Sequence, residues 1–542
     1  MHSTRKFTVN PARSTQPRGR RKSRRPEQPR LDQRTAGILL HLTSLPGPHG
    51  SGDLGPAARR FADFLVATGH RWWQMLPIGP IGPGNSPYSS HSAFAGNPLL
   101  ISLEALVEDG LLTRSDVRPP PGVQPDKVRY PKVIRFRTAR LRKAFARFQQ
   151  KRRKPDAHER FRVRQRAWLD DYLLFCALRK VFDGAPWTEW DAELRRRKAA
   201  ALRRVRRELR EEIEYELFVQ YVFDTQWTAF KRYCNQRGIS LFGDLPIFVC
   251  HDSCDVWAHQ SLYRLDKRGR PTVVSGVPPD YFSKTGQLWG HPHYNWRRHA
   301  ATGFAWWIER FGAMFKRFDA VRIDHFLGFN RVWNVPAGAR TALRGTWTKT
   351  PGDRVFAALR KALGRVQIVA EDLGLLVPEA AALRDRWGFP GMRVLQFAFD
   401  GTEKARYDQP HRYPRNCVAY TGTHDNNTTV GWFCALPKRG RKGRDGLTVR
   451  QRALRYVGSD GEAIHWDLIH LLYASVANIA IVPMQDALGL GARARMNFPS
   501  TAYGNWEWRM RPAAASDKLS AHLRTLAETY ERLHAGSHSG RR

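Results

Sequence analysis

The sequence predicts an α/β protein built on a (β/α)8 barrel, with a large, mostly helical insertion between strands two and three and long loops over the active face. Two observations carry that expectation. Eight short apolar runs recur along the chain: Gly37–Leu42, Trp73–Ile78, Ile239–Val249, Ala320–Phe326, Gln367–Leu373, Arg393–Phe399, Cys417–Asp425 and Asn478–Asp486. Each leads through a polar or Gly/Pro-rich exit into a longer helical pattern. Continuous apolar runs alternating with helices mark parallel strands covered on both faces, and eight of them suggest closure into a barrel. Second, three of these runs reach a carboxylate at or near their C-terminal end, the edge where such barrels carry their chemistry.

The elements are unevenly spaced. About 160 residues separate the second and third runs, far more than one crossover helix needs. A mostly helical subdomain is therefore expected over about residues 100–235, and a loop or lid subdomain rich in Gly, Pro, Trp and Tyr over about 250–300. The barrel should occupy 36–535. Residues 1–35 are Pro-, Ser- and Arg-rich and are read as a disordered basic tail.

Composition narrows the class. Hydrophobic residues make up 42% of the 542 and charged residues 26%, enough to bury a core. No run of about 18 apolar residues occurs, so no transmembrane helix and no membrane partner are expected. Six scattered cysteines are too few for a disulfide framework, which favours a reducing, cytoplasmic setting. The tail has no apolar signal core. Its scarcity of acids leaves an organelle transit peptide as the alternative.

The net charge of +41 is localised. Residues 1–35, 132–166 and 195–210 carry net charges of +9, +13 and +8. In the second stretch Ile134, Leu141, Phe145 and Phe148 keep helical spacing, and in the third Leu202, Val205 and Leu209 do so. These read as amphipathic helices with solvated Arg-rich faces. Nonspecific contact with nucleic acid or another polyanion is the sharper reading, but no stacking aromatics interleave the basic residues.

Asp324 closes Val-Arg-Ile-Asp-His-Phe, Glu371 sits in Val-Ala-Glu-Asp-Leu-Gly and Asp425 in Thr-Gly-Thr-His-Asp-Asn. They are 47 and 54 residues apart, about one strand–helix unit each, so a barrel sets them at one rim. Two carboxyl groups facing each other across a glycosidic bond are what retaining glycoside chemistry requires. Arg322 lies two residues before Asp324 and shares its face, favouring an ionised nucleophile. Glu371 lies in an apolar run, where burial would hold its proton. His325 and His424 offer ring nitrogens to sugar hydroxyls. Tyr88 and Trp289 offer flat surfaces to the apolar faces of sugars.

The chain resembles the amylomaltases, the 4-alpha-glucanotransferases of glycoside hydrolase family 77. The matching blocks run in order from residue 37 to 510, among them GILLHLTSLPGPHGSGDLG (37–55), WWQMLPIGPIGPGNSPYSSHSAFAGNP (72–98), GDLPIFV (243–249), GVPPDYFSKTGQLWG (276–290), VRIDHFLGF (321–329), AEDLG (370–374), GMRVLQFAFD (391–400) and TGTHDNN (421–427). The resemblance implies Asp324 as nucleophile, Glu371 as acid/base and Asp425 as transition-state stabiliser. It further implies substrate contacts from Tyr88, Asp244, Arg322, His325 and His424, with Asp400 and Asn497 at the subsite rims and Trp289 on a flap over the acceptor. Leu327 stands where many members carry a polar or basic residue. Maltodextrins are the implied substrates, with no cofactor and no metal. Cys250 and Cys254 flank His251 and Asp252, but no second ligand pair lies nearby. A monomer or weak homodimer is expected. An α-glucan hydrolase with the same carboxylates is the enzymatic alternative, and a basic scaffold binding glycogen or nucleic acid is the non-enzymatic one.

Overall fold

The computed structural model describes residues 28–533, apart from 152–154, 280–282, 376, 438, 440, 441, 444, 500 and 502. Residues 1–27 of the expected tail lie outside that range. Twelve strands occur among the described residues: β1 (Thr35–Leu39), β2 (Trp72–Gln74), β3 (Ser240–Pro246), β4 (Val273–Val277), β5 (Gln287–Pro292), β6 (Ala320–Asp324), β7 (Arg331–Pro336), β8 (Thr346–Lys349), β9 (Ile368–Ala370), β10 (Gly391–Val394), β11 (Cys417–Tyr420) and β12 (Ile479–Pro483).

Eight of them close a parallel barrel in the order β1-β12-β11-β10-β9-β6-β3-β2. Each falls within or overlaps one of the eight apolar runs, and closure is made by Thr35 pairing with Ile479 and Leu39 with Pro483. The barrel strands are buried on both faces almost throughout, which is why their sequences run apolar without alternation. At Gly37 a Cβ would stand 2.5 Å from the carbonyl oxygen of Trp72, so only glycine lets β1 lie against β2 here.

The strands end sooner than the apolar runs do. Asp324 closes β6, whereas Glu371 lies one residue past β9 and Asp425 five past β11. The chain over 250–300, read as a loop or lid, contains the short helix Cys254–Ala258 and the strands β4 and β5. With β7 and β8 these make a four-stranded antiparallel sheet, order β5-β4-β7-β8.

Between β2 and β3 the chain carries the helices Leu103–Glu108, Tyr130–Gln150, Asp156–Val181, Ala199–Glu208 and Arg210–Gln236, among shorter ones. In Tyr130–Gln150 the residues Leu141, Phe145 and Phe148 are buried, as their spacing predicts. Ile134 is exposed instead, and Val133 and Arg137 face inward. Many of the arginines on these helices meet carboxylates of neighbouring segments: Arg137 meets Asp53, Arg142 meets Glu212, Arg147 meets Asp116 and Arg164 meets Asp224. Arg137–Asp53 is buried; the other pairs are partly solvated and add little each, but together they neutralise part of the local charge. No described helix is long and apolar enough to cross a membrane.

Residues 28–34, assigned to the tail by composition, are tied across the N-terminal end of the barrel. Gln28 accepts from Ser240 Oγ at 2.6 Å, Leu31 N–H donates to Gln367 at 2.9 Å, and Arg34 donates to the carbonyls of Tyr473, Ser475 and Tyr530. Arg532 lies beside it, fully buried, and donates to the carbonyls of Thr35, Tyr473, Ser475 and Ala477 at 2.9–3.1 Å. Its guanidinium gathers carbonyls from the C-terminal end of the helix Ile464–Ala474, the turn before β12 and the start of β1. Burial lowers its pKa to about 9, with the charge of Arg34 adding to the fall. Replacing Arg532 by Met strands the Thr35 and Ala477 carbonyls at about 1–3 kcal/mol each, while those of Tyr473 and Ser475 keep Arg34. Chemical denaturation of R532M should therefore show a loss of more than about 2 kcal/mol, and a loss below 1 kcal/mol would show that water takes over the carbonyls.

Candidate active site

The C-terminal rim of the barrel opens into a cleft of about 800 Å³. Its lining includes Tyr88, Trp289, Arg322, Asp324, His325, Glu371, His424, Asp425 and Asn497. Asp244 lies beneath, 2% exposed and bonded to Tyr88 and Arg322. Asp400 is not among the lining residues. Its carboxylate accepts from the backbone and hydroxyl of Thr402 in an exposed turn. The short helix Leu395–Phe397, directly after β10, turns the chain before it reaches Asp400.

Asp324 and Glu371 come from neighbouring strands. β6 pairs with β9 through Ile323 and Ala370, so the next residue on each is a carboxylate and the two stand side by side. His325 then turns into the left-handed region (φ 53°, ψ 57°). That turn aims its N–H at Glu371 Oε2 (2.7 Å), while Leu373 N–H donates to Oε1 (2.9 Å). Glu371 is thus oriented by two backbone donors.

Arg322 organises the opposite side. It is 3% exposed, and both its terminal nitrogens donate to Asp324 Oδ1 (3.0 and 2.7 Å) while Nε donates to Asp244 Oδ2 (3.2 Å). Burial works against its charge, but Asp244 and Asp324 outweigh it, so it is held well above the usual arginine value. From Asp244 the network continues. Tyr88 OH donates to Asp244 Oδ2 (2.8 Å), and His424 Nε2 lies 2.8 Å from the same phenolic oxygen. Since the single phenolic proton goes to Asp244, His424 must be the donor to Tyr88. Asn497 Nδ2 donates to Asp425 Oδ1 (2.6 Å), and Arg495 donates to the Asp425 carbonyl (2.7 Å).

The protonation states separate by environment. Burial raises Glu371 to about 8, against the opposing pull of Arg322. Burial also raises Asp324, with Arg322 drawing it back. Its side chain stays 31% exposed to the cleft and takes two guanidinium donors, so it is the carboxylate that keeps its charge. Asp244, fully enclosed, is pushed by burial to about 7, and its Oδ1 is buried without a hydrogen-bond partner. Burial lowers His325 and His424 to about 4, leaving both rings neutral. One carboxyl that retains its proton beside one that does not is an acid next to a nucleophile.

Aromatic rings shape the walls. Tyr88 stacks on His424 (5.3 Å, 14°), and Trp289 meets the edge of His325 (4.8 Å, 81°). Trp506 packs against both Tyr88 and His424 at 5.6 and 6.0 Å and also lines the cleft. Sequence reasoning did not single it out. Its signal is the Asn505-Trp506-Glu507-Trp508 alternation, and its own φ of 65° turns the ring inward.

The chain as a whole matches known proteins. The model of the 4-alpha-glucanotransferase family, glycoside hydrolase family 77, matches residues 40–515. The 4-alpha-glucanotransferase of Thermus thermophilus is 46% identical over 92% of this chain and 99% of its own length. The chloroplastic/amyloplastic 4-alpha-glucanotransferase of Solanum tuberosum is 41% identical over 94% of this chain and 88% of its own. The amylomaltase of Streptococcus agalactiae, solved in complex with acarbose, superposes with a TM-score of 0.88 at 38% identity, covering 93% of this chain and all of that one. The fold and the rim of carboxylates define a retaining glycoside enzyme. The chain belongs to the 4-alpha-glucanotransferase family.

The raised Glu371 value has a thermodynamic consequence with a definite sign. Below pH 4.5 the folded and unfolded states both hold the proton. Between 4.5 and about 8 only the folded state does, so stability falls as pH rises, and the loss is complete above 8. Glu371→Gln lacks this loss. The Tm of the variant minus that of the wild type should therefore increase from pH 4.5 to 8 and level off beyond. A constant difference across the window would show that Glu371 titrates normally.

Proposed function

We infer that this protein is a 4-alpha-glucanotransferase, moving a segment of a 1,4-α-D-glucan from a donor to the 4-hydroxyl of an acceptor glucose or maltodextrin. The observation that carries the reading is the pairing of Asp324 and Glu371 at adjacent positions on neighbouring strands, with opposite protonation. Strand spacing of about 4.8 Å suits the ~5 Å carboxyl separation of retaining enzymes.

In the first half-reaction Asp324 attacks the anomeric carbon as the bond to the leaving oxygen breaks, and Glu371 gives that oxygen its proton. A glycosyl ester on Asp324 results. In the second half the acceptor 4-hydroxyl attacks the same carbon, passes its proton to Glu371, and the ester bond to Asp324 breaks. Asp425, oriented by Asn497, is suited to bind the sugar hydroxyls beside the reacting carbon. Arg322 keeps Asp324 charged until it bonds. The neutral ring of His325 can donate and accept toward hydroxyls, whereas His424, whose one N–H goes to Tyr88, can only accept. Transfer in preference to hydrolysis requires an acceptor held in line and water limited. Trp289, on β5 above His325, is placed to supply one wall of such an acceptor site.

Pure maltotriose should be converted to glucose together with longer oligomers, at a nearly constant count of reducing ends. Release of reducing ends without chain lengthening would establish the hydrolase instead. Asp324→Asn should keep the wild-type circular dichroism at a lowered melting temperature, since Arg322 loses a counter-charge, while turnover falls to less than about one hundredth, a change of more than 2.7 kcal/mol in the barrier. Turnover above a few per cent would remove Asp324 from the nucleophile's role.

A further inference from the structure

The four-stranded sheet beside the cleft carries an aromatic pair that the reaction does not use. Trp333 on β7 and Trp347 on β8 are cross-strand partners, with ring centroids 5.1 Å apart and planes inclined by 55°. All four residues of β8, Thr346, Trp347, Thr348 and Lys349, are exposed. Trp347 is 36% open to solvent, and the guanidinium of Arg331 lies 5.9 Å from its ring centroid. A tryptophan pair at a sheet edge, ringed by hydroxyls and cations, is unusual on a surface that has no need of it for closure.

The pair is continuous with the cleft. Register runs from Leu288 on β5 through Gly276 on β4 to Trp333 and Trp347, so one row crosses the sheet on a single face. Leu288 lines the cleft at one end of that row. The connection 337–345 reaches both places: Arg340 and Thr341 line the cleft, while the Ala342 carbonyl accepts the Trp333 indole N–H at 2.9 Å. Gly345 packs so closely on the Trp333 ring that a Cβ would stand 2.5 Å away. Trp333 is thereby fixed, and Trp347 is left as the open plate.

We propose that Trp347, backed by Trp333, is a second glucan-binding platform that holds a distal stretch of a long α-1,4-glucan whose end occupies the cleft. This rests on the transferase reading. The C–H faces of glucose are apolar, and an exposed indole removes them from water without demanding a fixed hydrogen-bond pattern. Two inclined rings suit successive units of a curved chain better than one flat plate. Thr346, Thr348, Arg331 and Lys349 supply groups for the hydroxyls at the ring edges. The site serves only substrates long enough to span from the cleft to the sheet edge, so maltotriose turnover is indifferent to it.

The test compares wild type, Trp347→Ala and Trp347→Phe on two donors, maltotriose and long amylose. W347A should raise KM for amylose roughly fivefold, about one stacked ring's worth of binding, with kcat for amylose and both constants for maltotriose unchanged. W347F should stay near wild type. Equal KM for amylose in all three overturns the proposal. So does a W347A that loses maltotriose turnover in parallel, since the pair would then serve the sheet and the cleft it supports. Absence of maltotriose disproportionation in the wild type would instead defeat the transferase reading.

Discussion

A single buried guanidinium holds the rim together. Arg322 is enclosed by the barrel, and a cation there is tolerable only because Asp244 and Asp324 meet it with directed hydrogen bonds. That requirement sets the positions of everything attached to it. Asp324 is aimed into the cleft, Asp244 receives Tyr88, and Tyr88 fixes the tautomer of His424 beside Asp425. These residues come from β3, β6 and the chain that follows β2 and β11, so the barrel's closure and the network's continuity depend on the same register.

The division of labour between two chemically similar acids follows from what each can bond. Asp324 has cation donors and an open face toward the cleft. Glu371 is deeply buried with a more distant guanidinium, and that burial outweighs the two backbone N–H donors that favour its charged form, so its proton stays. His325 links the two halves. Its left-handed backbone lets one residue follow Asp324 in sequence and steady Glu371 in space, a conformation that costs of order 1 kcal/mol or more in a residue other than glycine.

The barrel was legible because its strands are buried on both faces, and the eight apolar runs therefore locate them directly. The four-stranded sheet was not. β5 and β8 are half or wholly exposed, and Gln287–Pro292 and Thr346–Lys349 carry no apolar continuity to read. The site divides along the same line. Asp324, Glu371 and Arg322 follow from strand positions, so alternation predicts their facing. Asp244 came only through a resemblance, since its task is to balance a charge three-dimensionally adjacent and 78 residues distant. Asp400 lies past the short helix that follows β10, in an exposed turn whose place alternation cannot predict. Residues 28–34 look like tail by composition, yet their backbone and side chains find partners on barrel elements that a local reading cannot see.

Closure by β1 against β12 has a temporal side. The partner of Thr35 is Ile479, so the ring of strands stays open on the ribosome until nearly the whole chain has been made. At typical elongation rates that delay is roughly 20–90 s, during which β1 and β2 present unpaired edges. The helices that intervene before β3 emerge early in that interval, with their own apolar stripes and ion pairs available locally. Their presence gives the nascent chain something to fold before the ring can shut.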